Sequence, residues 1–334
     1  MPATVVVGGF FGDEGKGKII SYLALAHGYE VAVRGGVGPN AGHTVIHNGE
    51  KYKLRMLPST IVSSKTRMMI GPGVLVDPRV LLGEIAKYKK DSRVLVDPQC
   101  SIIDERHLLA DESPHLKDEI GTTGTGTGPA NAERVMRTAK LAKDVNDISH
   151  LIGDVPKEVN NYLDDGKLVL VEGSQGTFLS LYHGTYPYVT SKDVTASAIC
   201  SDVGLGPKRV DNVIVVFKGY VTRVGAGPLD GELSSEEREK RNWSEIGTVT
   251  GRARRTAPFD FDLAKRSIML NGATSIALTK LDIMFPECSG VRDYAMISDN
   301  AKAFIEEIES GTGSKVSLIG TGPEVLDTIE RGTT

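Results

Sequence analysis

The sequence lacks the patterns that mark membrane, secreted and metal-cluster proteins. Its three cysteines lie far apart and form no C-x-x-C pair, which argues against a zinc site and fits a reducing cytosol. No run of about 18 apolar residues is present, which excludes a transmembrane helix. The first residues contain no basic segment followed by an apolar one, so a secretory signal is not expected. We therefore predict a cytoplasmic protein.

The charge of the chain is also small. Its 39 Lys and Arg against 43 Asp and Glu leave a net charge of -4. A field of this sign does not attract nucleic acid or anionic membranes, so neither is expected as a partner.

Glycine is the residue present in excess. Three windows at residues 8–17, 35–42 and 121–128 hold 13 of the 38 glycines, and no Gly-x-y period or low-complexity tract explains them. Glycine concentrated in short loops indicates that backbone must approach something closely or adopt positive φ. Several such loops in a charged chain suggest a ligand that carries phosphate.

The beginning of the chain predicts an α/β unit. An apolar run at residues 4–7 predicts a buried strand, and apolar residues at helical spacing predict a helix over residues 16–27 that Gly28 closes. Residues 30–34 predict a second strand. This order implies parallel strands joined by a right-handed crossover.

The rest of the chain continues the pattern. Further strands are predicted at residues 67–70, 93–96, 168–171, 212–220 and 275–281, and helices near residues 78–90, 105–111, 129–142, 234–241, 261–271 and 302–308. Asn48-Gly49, between strands at 44–47 and 51–57, predicts a hairpin. We expect an α/β, P-loop-like nucleotide-binding fold: a central, mostly parallel sheet with helices on both faces, made mixed by added hairpins. No clear linker is visible, so residues 1–334 are expected to form a single domain.

The first glycine-rich loop predicts a phosphate site. Residues 12–18, GDEGKGK, match G-x-x-x-x-G-K between a strand and a helix, and Lys16 and Lys18 add positive charge. Ile19 replaces the usual Ser or Thr, so Mg²⁺ must be held by other groups. Asp13 and Glu14 would repel phosphate unless a carboxylate binds Mg²⁺ or acts as a base. The alternative is an ordinary glycine-rich turn with solvated charges.

The second loop brings a histidine to the same edge of the sheet. Residues 34–44, RGGVGPNAGHT, follow the second strand, and loops at the carboxyl ends of neighbouring parallel strands lie together. His43 could therefore donate a hydrogen bond to a transferring phosphoryl group. Taken alone it is more often a surface or satisfied histidine, but Asn40 and Gly42 beside it favour the functional interpretation.

These two strings together closely resemble the adenylosuccinate synthetase family, which joins IMP to aspartate at the expense of GTP. The resemblance recurs along almost the whole chain. It includes GTTGTGTGP at 121–129, EGSQGT at 172–177, HGTYPYVT at 183–190, TRVGAGP at 222–228, TGRARRT at 250–256, LTKLD at 278–282 and GTGP at 320–323. The chain is shorter than a typical full-length member.

The resemblance implies a reaction and its residues. IMP, GTP and L-aspartate would be the substrates, Asp13 and His43 the catalytic residues, and Asp13 and Gly42 the Mg²⁺ ligands. GTP would be bound by Gly12, Asp13, Glu14, Gly15, Lys16, Gly17, Lys18, Gly42, His43, Thr44, Arg254, Lys280, Leu281, Asp282, Gly320, Thr321 and Gly322. IMP would be bound by Asp13, Glu14, Gly15, Lys16, Asn40, Ala41, Gly42, His43, Thr123, Arg137, Gln175, Thr190 and Arg252. Aspartate would be bound by Thr248, Val249, Thr250, Gly251, Arg252, Ala253 and Arg254.

Two of these assignments have further consequences. In the family the arginine matching Arg137 reaches the IMP phosphate of a neighbouring subunit, which implies a homodimer with a shared site. The carboxylate of Asp282 can accept two N–H donors from the guanine edge, a pair that adenine does not present.

The chain also departs from the family pattern. Gly320 replaces a serine, Val249 and Ala253 replace polar residues of the aspartate loop, and Phe10-Phe11 and Pro39 are unusual beside the first two loops.

Two other classes of function stay open from the residues themselves. One is a different P-loop-like nucleotide-dependent ligase or kinase, which would share the phosphate loop but not the purine site. The other is a non-catalytic nucleotide-binding homologue. Asp13, His43 and the loop that carries Arg252, Arg254 and Arg255 argue against it.

Overall fold

The computed structural model describes residues 3–247 and 251–332. Fifteen strands occur in this part of the chain. They are β1 (Ala3–Gly8), β2 (Val31–Arg34), β3 (His43–His47), β4 (Glu50–Leu54), β5 (Arg67–Ile70), β6 (Leu75–Val76), β7 (Val94–Val96), β8 (Ser101–Ile102), β9 (Val169–Glu172), β10 (Val210–Lys218), β11 (Val221–Arg223), β12 (Arg255–Ala257), β13 (Ser275–Thr279), β14 (Val316–Gly320) and β15 (Thr328–Glu330).

Ten α-helices lie between these strands in the described ranges. They are α1 (Lys16–His27), α2 (Pro78–Tyr88), α3 (Glu105–Asp111), α4 (Thr127–Met136), α5 (Val155–Asp164), α6 (Ala196–Asp202), α7 (Ser235–Lys240), α8 (Phe261–Asn271), α9 (Leu281–Met284) and α10 (Asp299–Thr312). A π-helical turn spans His115–Ile120. The short 3₁₀ turns are Ser59–Val62, Asp91–Arg93, Ala142–Asp144, Asn146–Leu151, Thr177–Leu179, Pro207–Arg209, Pro286–Cys288 and Tyr294–Met296.

Nine of the strands form one sheet in the order β15-β14-β13-β10-β1-β9-β2-β5-β7. Every described neighbour pair in it is parallel except β14 with β15. Strand β1 therefore lies at the centre, and the loop after it emerges at the carboxyl edge between β9 and β10. In open α/β sheets this edge is where ligands bind.

Helices cover both faces of the sheet. Ile19 and Ile20 of α1 pack with Val6 of β1 on one face. Val5 of β1 packs on the opposite face, with apolar residues of α5, α6, α8 and α10 such as Ile305. Because both faces are covered, β1 is buried along its whole length and its sequence is a continuous apolar run.

The predicted fold class is confirmed, but its antiparallel part was assigned wrongly. The hairpin of β3 and β4 forms at Asn48-Gly49 as predicted, yet it makes a separate two-stranded sheet. The antiparallel strand of the central sheet is β15, which the sequence pattern did not indicate because it is only three residues long. The single-domain organisation stays a prediction.

Several predicted elements end earlier than expected, among them a helix and a strand that end before a residue with positive φ. The helix predicted over residues 129–142 is α4, which ends at Met136 because Arg137 adopts the left-handed conformation, with φ 65°. The strand predicted over residues 275–281 is β13, which ends at Thr279 because Lys280 also has positive φ, at 64°. Among the described residues no helix has the length and apolar character of a membrane span.

Candidate active site

A cavity of about 710 Å³ lies at the carboxyl edge of the central sheet. The three glycine-rich windows all reach it. Of the residues implied by the family resemblance, its lining contains Gly12, Asp13, Glu14, Gly15, Lys16, Gly17, Lys18, Asn40, Ala41, Gly42, His43, Thr44, Thr123, Gln175, Thr190, Arg254, Lys280, Asp282 and Gly322. The fold thus collects into one cavity residues that are up to about 300 positions apart in sequence.

The phosphate loop is held in shape from inside by Glu14. One oxygen of its buried carboxylate accepts the backbone N–H groups of Phe10 and Gly12 at 3.0 and 2.8 Å, and the other lies 2.8 Å from Lys16 Nζ. Both side chains of this ion pair are only 2% exposed. Glu14 is therefore turned into the loop and holds the ammonium group of Lys16 in place.

The loop enters α1 through a left-handed residue. Gly15 occupies the N-cap with φ 90°, a value that glycine adopts without strain, and no side chain caps the helix. Asp13 has φ 63° although it carries a side chain. Since the N-terminal N–H groups of a helix favour anions, this turn is suited to bind phosphate oxygens.

Asp13 stands at one end of a chain of buried charges. Its Oδ2 lies 2.9 Å from Nε of Arg254, and Nη1 of Arg254 contacts the carboxylate of Glu245. Glu245 also lies 2.9 Å from Lys218 Nζ and accepts the hydroxyl of Tyr220 at 2.5 Å. The loop that carries Arg254 is thus tied both to the phosphate loop and to the end of β10.

The charge of Glu245 depends on its neighbours. Burial alone would raise the pKa of Glu245, but Lys218, Arg254 and Lys280 outweigh burial and lower it to about 2. Burial lowers the pKa of Lys218, and Glu245 opposes this effect. The carboxylate therefore stays ionised beside its cations at neutral pH.

His43 is anchored through one nitrogen. Nδ1 contacts Oε1 of Glu172 in a short hydrogen bond and lies 3.2 Å from the hydroxyl of Ser59. Burial lowers the pKa of His43 and Glu172 opposes this effect. Burial would raise the pKa of Glu172, but His43 and then Arg34 reverse the direction and lower it. Glu172 is thus an ionised, fully buried acceptor at the end of β9.

Three predicted IMP contacts are hydrogen-bonded to one another. Gln175 donates from Nε2 to Asn40 Oδ1 at 2.8 Å, and Asn40 donates from Nδ2 to the hydroxyl of Thr190 at 3.2 Å. These amides carry both donors and acceptors, which is what the edge of a purine presents. They form one wall of the cavity, with Thr123 in the third glycine-rich loop.

The third glycine-rich loop is fixed by side chains from outside it. Asp111 accepts the hydroxyl of Thr122 at 2.9 Å and the backbone N–H of Gly126 at 2.8 Å. Arg252 donates to the carbonyl oxygens of Gly121 and Thr122 at 3.0 and 2.9 Å. The resemblance assigns Arg252 to both IMP and aspartate. Its contacts join the loop assigned to aspartate to the third glycine-rich loop.

The predicted guanine side is linked to the phosphate loop by Lys18. Its Nζ donates to the carbonyl oxygens of Gly322 and Asp327 at 2.5 and 2.6 Å. Burial lowers the pKa of Lys18 to about 8, opposed by Asp282 and Asp327. A Cβ at Gly320 would lie 3.2 Å from this Nζ, so the glycine leaves room for the lysine.

Some predicted residues do not line the cavity. Leu281 and Thr321 are fully buried, and Thr321 uses its hydroxyl on the carbonyl oxygen of Val291 at 2.6 Å. Gly251 and Ala253 are exposed, as is Arg137 at the end of α4. Gly320 and Arg252 are also not among the lining residues. Thr248, Val249 and Thr250 lie outside the described residues.

Several residues of the site were not identified from sequence. Glu172, Ser59 and Glu245 hold predicted residues in place. Ser59 and Glu245 have no local motif of their own, whereas Glu172 begins the EGSQGT string at 172–177. Arg223 is another: it is buried, donates to the hydroxyl of Thr185 and the carbonyl oxygen of Tyr188, and lies over the ring of Phe11 at 4.4 Å. The available signals were the EGSQGT and TRVGAGP strings, which contain Glu172 and Arg223, and the position of Glu172 at the end of a strand at the carboxyl edge.

The fold and the cavity define an α/β nucleotide-dependent enzyme with a P-loop-like phosphate site. A model of the family described as adenylosuccinate synthetase matches residues 5–151 and 138–287. Adenylosuccinate synthetases of Methanococcus vannielii and Methanocaldococcus jannaschii are 52% and 54% identical to the chain; each alignment covers 99% of it, and 99% and 97% of those proteins.

Two solved structures extend the comparison. The chain superposes on the fully ligated adenylosuccinate synthetase from Plasmodium falciparum with TM-score 0.89 and 26% identity, covering 99% of this chain and 100% of that one. A cyanophage S-2L succinoaminodeoxyadenylate synthetase bound to dGMP and dATP gives TM-score 0.82 and 25% identity over 99% and 96%. The chain belongs to the adenylosuccinate synthetase family. It is a ligase of purine biosynthesis that joins IMP and L-aspartate with GTP.

Proposed function

We propose that the cavity carries out this ligation in two chemical steps through a 6-phosphoryl-IMP intermediate. The observation that carries the proposal is that Asp13, His43 and Lys16 share one cavity with the Asn40–Gln175 pair and with Asp282. A phosphate site, a purine-edge site and a guanine-selective carboxylate therefore face the same space. These groups follow β1, β2, β9 and β13, which together with β10 are consecutive strands of the central sheet.

The first step activates the oxygen of the purine. The carboxylate of Asp13 removes the N1 proton of IMP, and O6 forms a bond to the γ-phosphorus of GTP while the bond from that phosphorus to GDP breaks. The N–H groups of the phosphate loop stabilise the charge on the phosphoryl oxygens, and His43 donates to one of them. Lys16 contributes positive charge from its position beside Glu14.

The second step uses phosphate as the leaving group. The amine of L-aspartate forms a bond to C6 as the C6–O bond to the phosphoryl group breaks, and the nitrogen releases a proton to the departing phosphate or to water, which yields adenylosuccinate and phosphate. Arg252 and Arg254 would pair with the substrate carboxylates, since arginine matches carboxylate geometry. Gly251 and Ala253 would bind through backbone groups, and Thr248, Val249 and Thr250 are assigned to aspartate by the family resemblance.

The guanine of GTP is assigned to Lys280, Leu281, Asp282 and residues 320–322. Asp282 would accept the N1 and N2 donors, while the aliphatic stem of Lys280 covers the base. Lys18 supports this assignment, because it connects the phosphate loop to the carbonyl of Gly322.

Mg²⁺ is the cofactor that we propose. Asp13 and the carbonyl of Gly42 would hold it, and when bound it would neutralise charge on the phosphate oxygens of GTP. Both residues line the cavity. No group of three or more His, Cys, Asp or Glu suited to a metal is found in the described residues. A single carboxylate fits Mg²⁺, which is often bound by one or two carboxylates and substrate phosphates.

A homodimer with Arg137 shared across the interface is part of the proposal. Arg137 is exposed, outside the cavity of its own chain, and follows two apolar residues, Val135 and Met136, that are 75% and 71% exposed. Apolar side chains presented beside a predicted substrate contact support a surface that another subunit covers. A cytoplasmic location is supported by three unpaired cysteines.

A component-omission assay tests the proposed function. Adenylosuccinate formation would be followed spectrophotometrically with IMP, GTP, Mg²⁺ and L-aspartate, each left out in turn. Product that requires all four supports the proposal, and product without Mg²⁺ or without IMP would contradict it.

Substrate exchange makes the assay more specific. The cyanophage enzyme is described with dGMP and dATP, so dGMP would replace IMP and dATP would replace GTP in separate reactions. We expect little product from either replacement. Rates with dGMP or dATP equal to those with IMP and GTP would instead favour a substrate specificity like that of the cyanophage enzyme.

A further inference from the structure

Glu172 is surrounded by hydrogen-bond donors. Its Oε2 accepts the backbone N–H of Ser59 at 2.7 Å, and its Oε1 accepts the Ser59 hydroxyl at 2.6 Å and the Nδ1–H of His43. The side chain is fully buried, and the charge of Arg34 lies close enough to lower its pKa. A carboxylate is the only protein side chain that can accept at both oxygens without presenting a donor.

This arrangement decides which nitrogen of His43 meets the substrate. Because ionised Glu172 accepts only, the proton of the shared bond is on Nδ1. His43 Nε2 is buried and has no hydrogen-bond partner within residues 3–247 and 251–332, and His43 lines the cavity. Nε2 is therefore the atom that His43 offers to a ligand, and it donates to a phosphoryl oxygen when the ring is the imidazolium, in which both nitrogens carry a proton and Glu172 balances the charge.

The anchor also fixes the position of the ring. His43 begins β3 directly after a glycine-rich loop, so its backbone is held by strand pairing on one side only. Glu172 belongs to β9, a central strand of the sheet, and Ser59 belongs to the 3₁₀ turn Ser59–Val62. The hydrogen bond to Glu172 thus fixes the position of the imidazole relative to the central sheet.

We infer that Glu172 is the positioning residue of His43: it holds the imidazole so that Nε2 faces the transferring phosphoryl group. The inference rests on the role given to His43 in the proposed function. It assigns to Glu172 the part that an orienting carboxylate plays for other active-site histidines.

The test compares Glu172→Gln with Glu84→Gln. An amide at residue 172 would place a donor against Ser59 or His43, so the ring would lose its anchor. Glu84 is the matched control: it is also buried and accepts three backbone N–H groups, from Arg55, Met56 and Leu57, but does not line the cavity. Both substitutions place an amide NH₂ group against buried hydrogen-bond donors.

For Glu172→Gln we expect kcat to fall by at least about 10-fold with KM for IMP and GTP within about 3-fold, as for loss of an orienting partner. Combined with His43→Asn, it should cause no further loss of kcat, because the two act as a unit. Glu84→Gln should retain kcat within about 3-fold. Equal kcat for the two Gln variants, or a multiplied loss in the double variant, would overturn the inference.

A measurement on the unaltered enzyme covers the case in which Glu172→Gln does not fold. ¹⁵N NMR of histidine side chains, with His43→Asn to assign the signal, reports which ring nitrogen carries the proton. We expect a protonated Nδ1, and a neutral ring protonated at Nε2 would overturn the inference. If His43→Asn itself keeps normal kcat, the proposed role of His43 fails, and the inference fails with it.

Discussion

Arg254 Nε lies 2.9 Å from Asp13 Oδ2, so the proposed base is paired with a cation from the aspartate loop. The same guanidinium contacts Glu245, which is more buried than Asp13. In the proposed reaction Arg254 would also pair with a substrate carboxylate, so it lies between the proposed base and the proposed aspartate site. The pair thus connects the two halves of the proposed reaction.

Asp13→Asn should remove activity and leave the fold intact. An amide cannot accept the N1 proton, and loss of a general base typically reduces rate by about 10²- to 10⁴-fold. The lost ion pair is partly exposed, with Asp13 at 26%, so the free energy of unfolding should change by less than about 1 kcal/mol. Steady-state kcat and thermal unfolding are the measurements. Turnover within a few-fold of the unaltered enzyme would exclude Asp13 as the base.

Glu14→Gln should destabilise the fold much more than Asp13→Asn does. Its carboxylate holds the loop through two backbone N–H groups and pairs with Lys16 at 2% exposure. Breaking a buried pair by removing one partner typically costs about 3–5 kcal/mol, because the other charge stays buried. The free energy of unfolding, from denaturant titration, should fall by that order. Asp13→Asn is the neighbouring control, and equal stability of the two variants would contradict this account.

The sequence predicted the elements whose causes are local. Asn48-Gly49 specified the hairpin because both residues readily adopt positive φ, and they do so at 53° and 77°. Gly28 was correctly assigned as the end of α1, where it has φ 68°. The glycine-rich windows also predicted where the cavity lies. Glycine is favoured wherever the backbone needs positive φ or a close approach, so such sites are visible in the sequence.

The parts that could not be predicted depend on distant partners. The ion pair between Glu14 and Lys16 was not predicted, because it depends on how the loop folds back on itself, whereas their predicted ligand contacts stay predictions. Glu245 has no recognisable motif, and its role follows only from contacts with Lys218 and Arg254. Strand β15 was missed because three residues carry too little periodicity.

Glu245→Gln should change the acid dependence of stability. The folded pKa of Glu245, about 2, is below its ordinary value of 4.5. A lowered carboxyl pKa stabilises the fold above pH 4.5, and this contribution is lost as the pH falls from 4.5 towards 2. A shift of this size corresponds to about 3 kcal/mol at neutral pH. Unfolding free energies measured between pH 7 and about pH 2.5 should therefore fall less steeply in the variant.

An exposed pair provides the comparison for this experiment. Glu232 pairs with Arg255, and their side chains are 36% and 29% exposed. Solvent screens such a pair, so Glu232→Gln should change stability by less than about 1 kcal/mol and be sensitive to salt. A Glu245→Gln variant with the same small effect would show that Glu245 is not held by its cations.

Asp282→Asn should weaken the preference for GTP. The amide has one acceptor where the carboxylate has two, and it adds a donor that repels the guanine N–H edge. We expect the ratio of kcat/KM for GTP to that for ATP or ITP to fall by at least about 10-fold. Asp327→Asn is the control, because this acid pairs with Arg292 and is not part of the cavity lining. An unchanged ratio would remove Asp282 from the guanine site.

Mixing two inactive variants should restore activity if Arg137 is shared between subunits. Asp13→Asn removes the proposed base, and Arg137→Leu removes a side chain that is exposed and outside the cavity of its own chain. In a mixed dimer one site takes both of its intact residues, one from each subunit, and the other site lacks both. Random mixing in equal amounts should then give about a quarter of the unaltered activity, because half of the dimers are mixed and each has one complete site. Refolding or exchanging the subunits together, with each variant alone as control, measures this recovery. Full activity of Arg137→Leu alone, or no recovery from a mixture shown to be dimeric, would rule out the shared site.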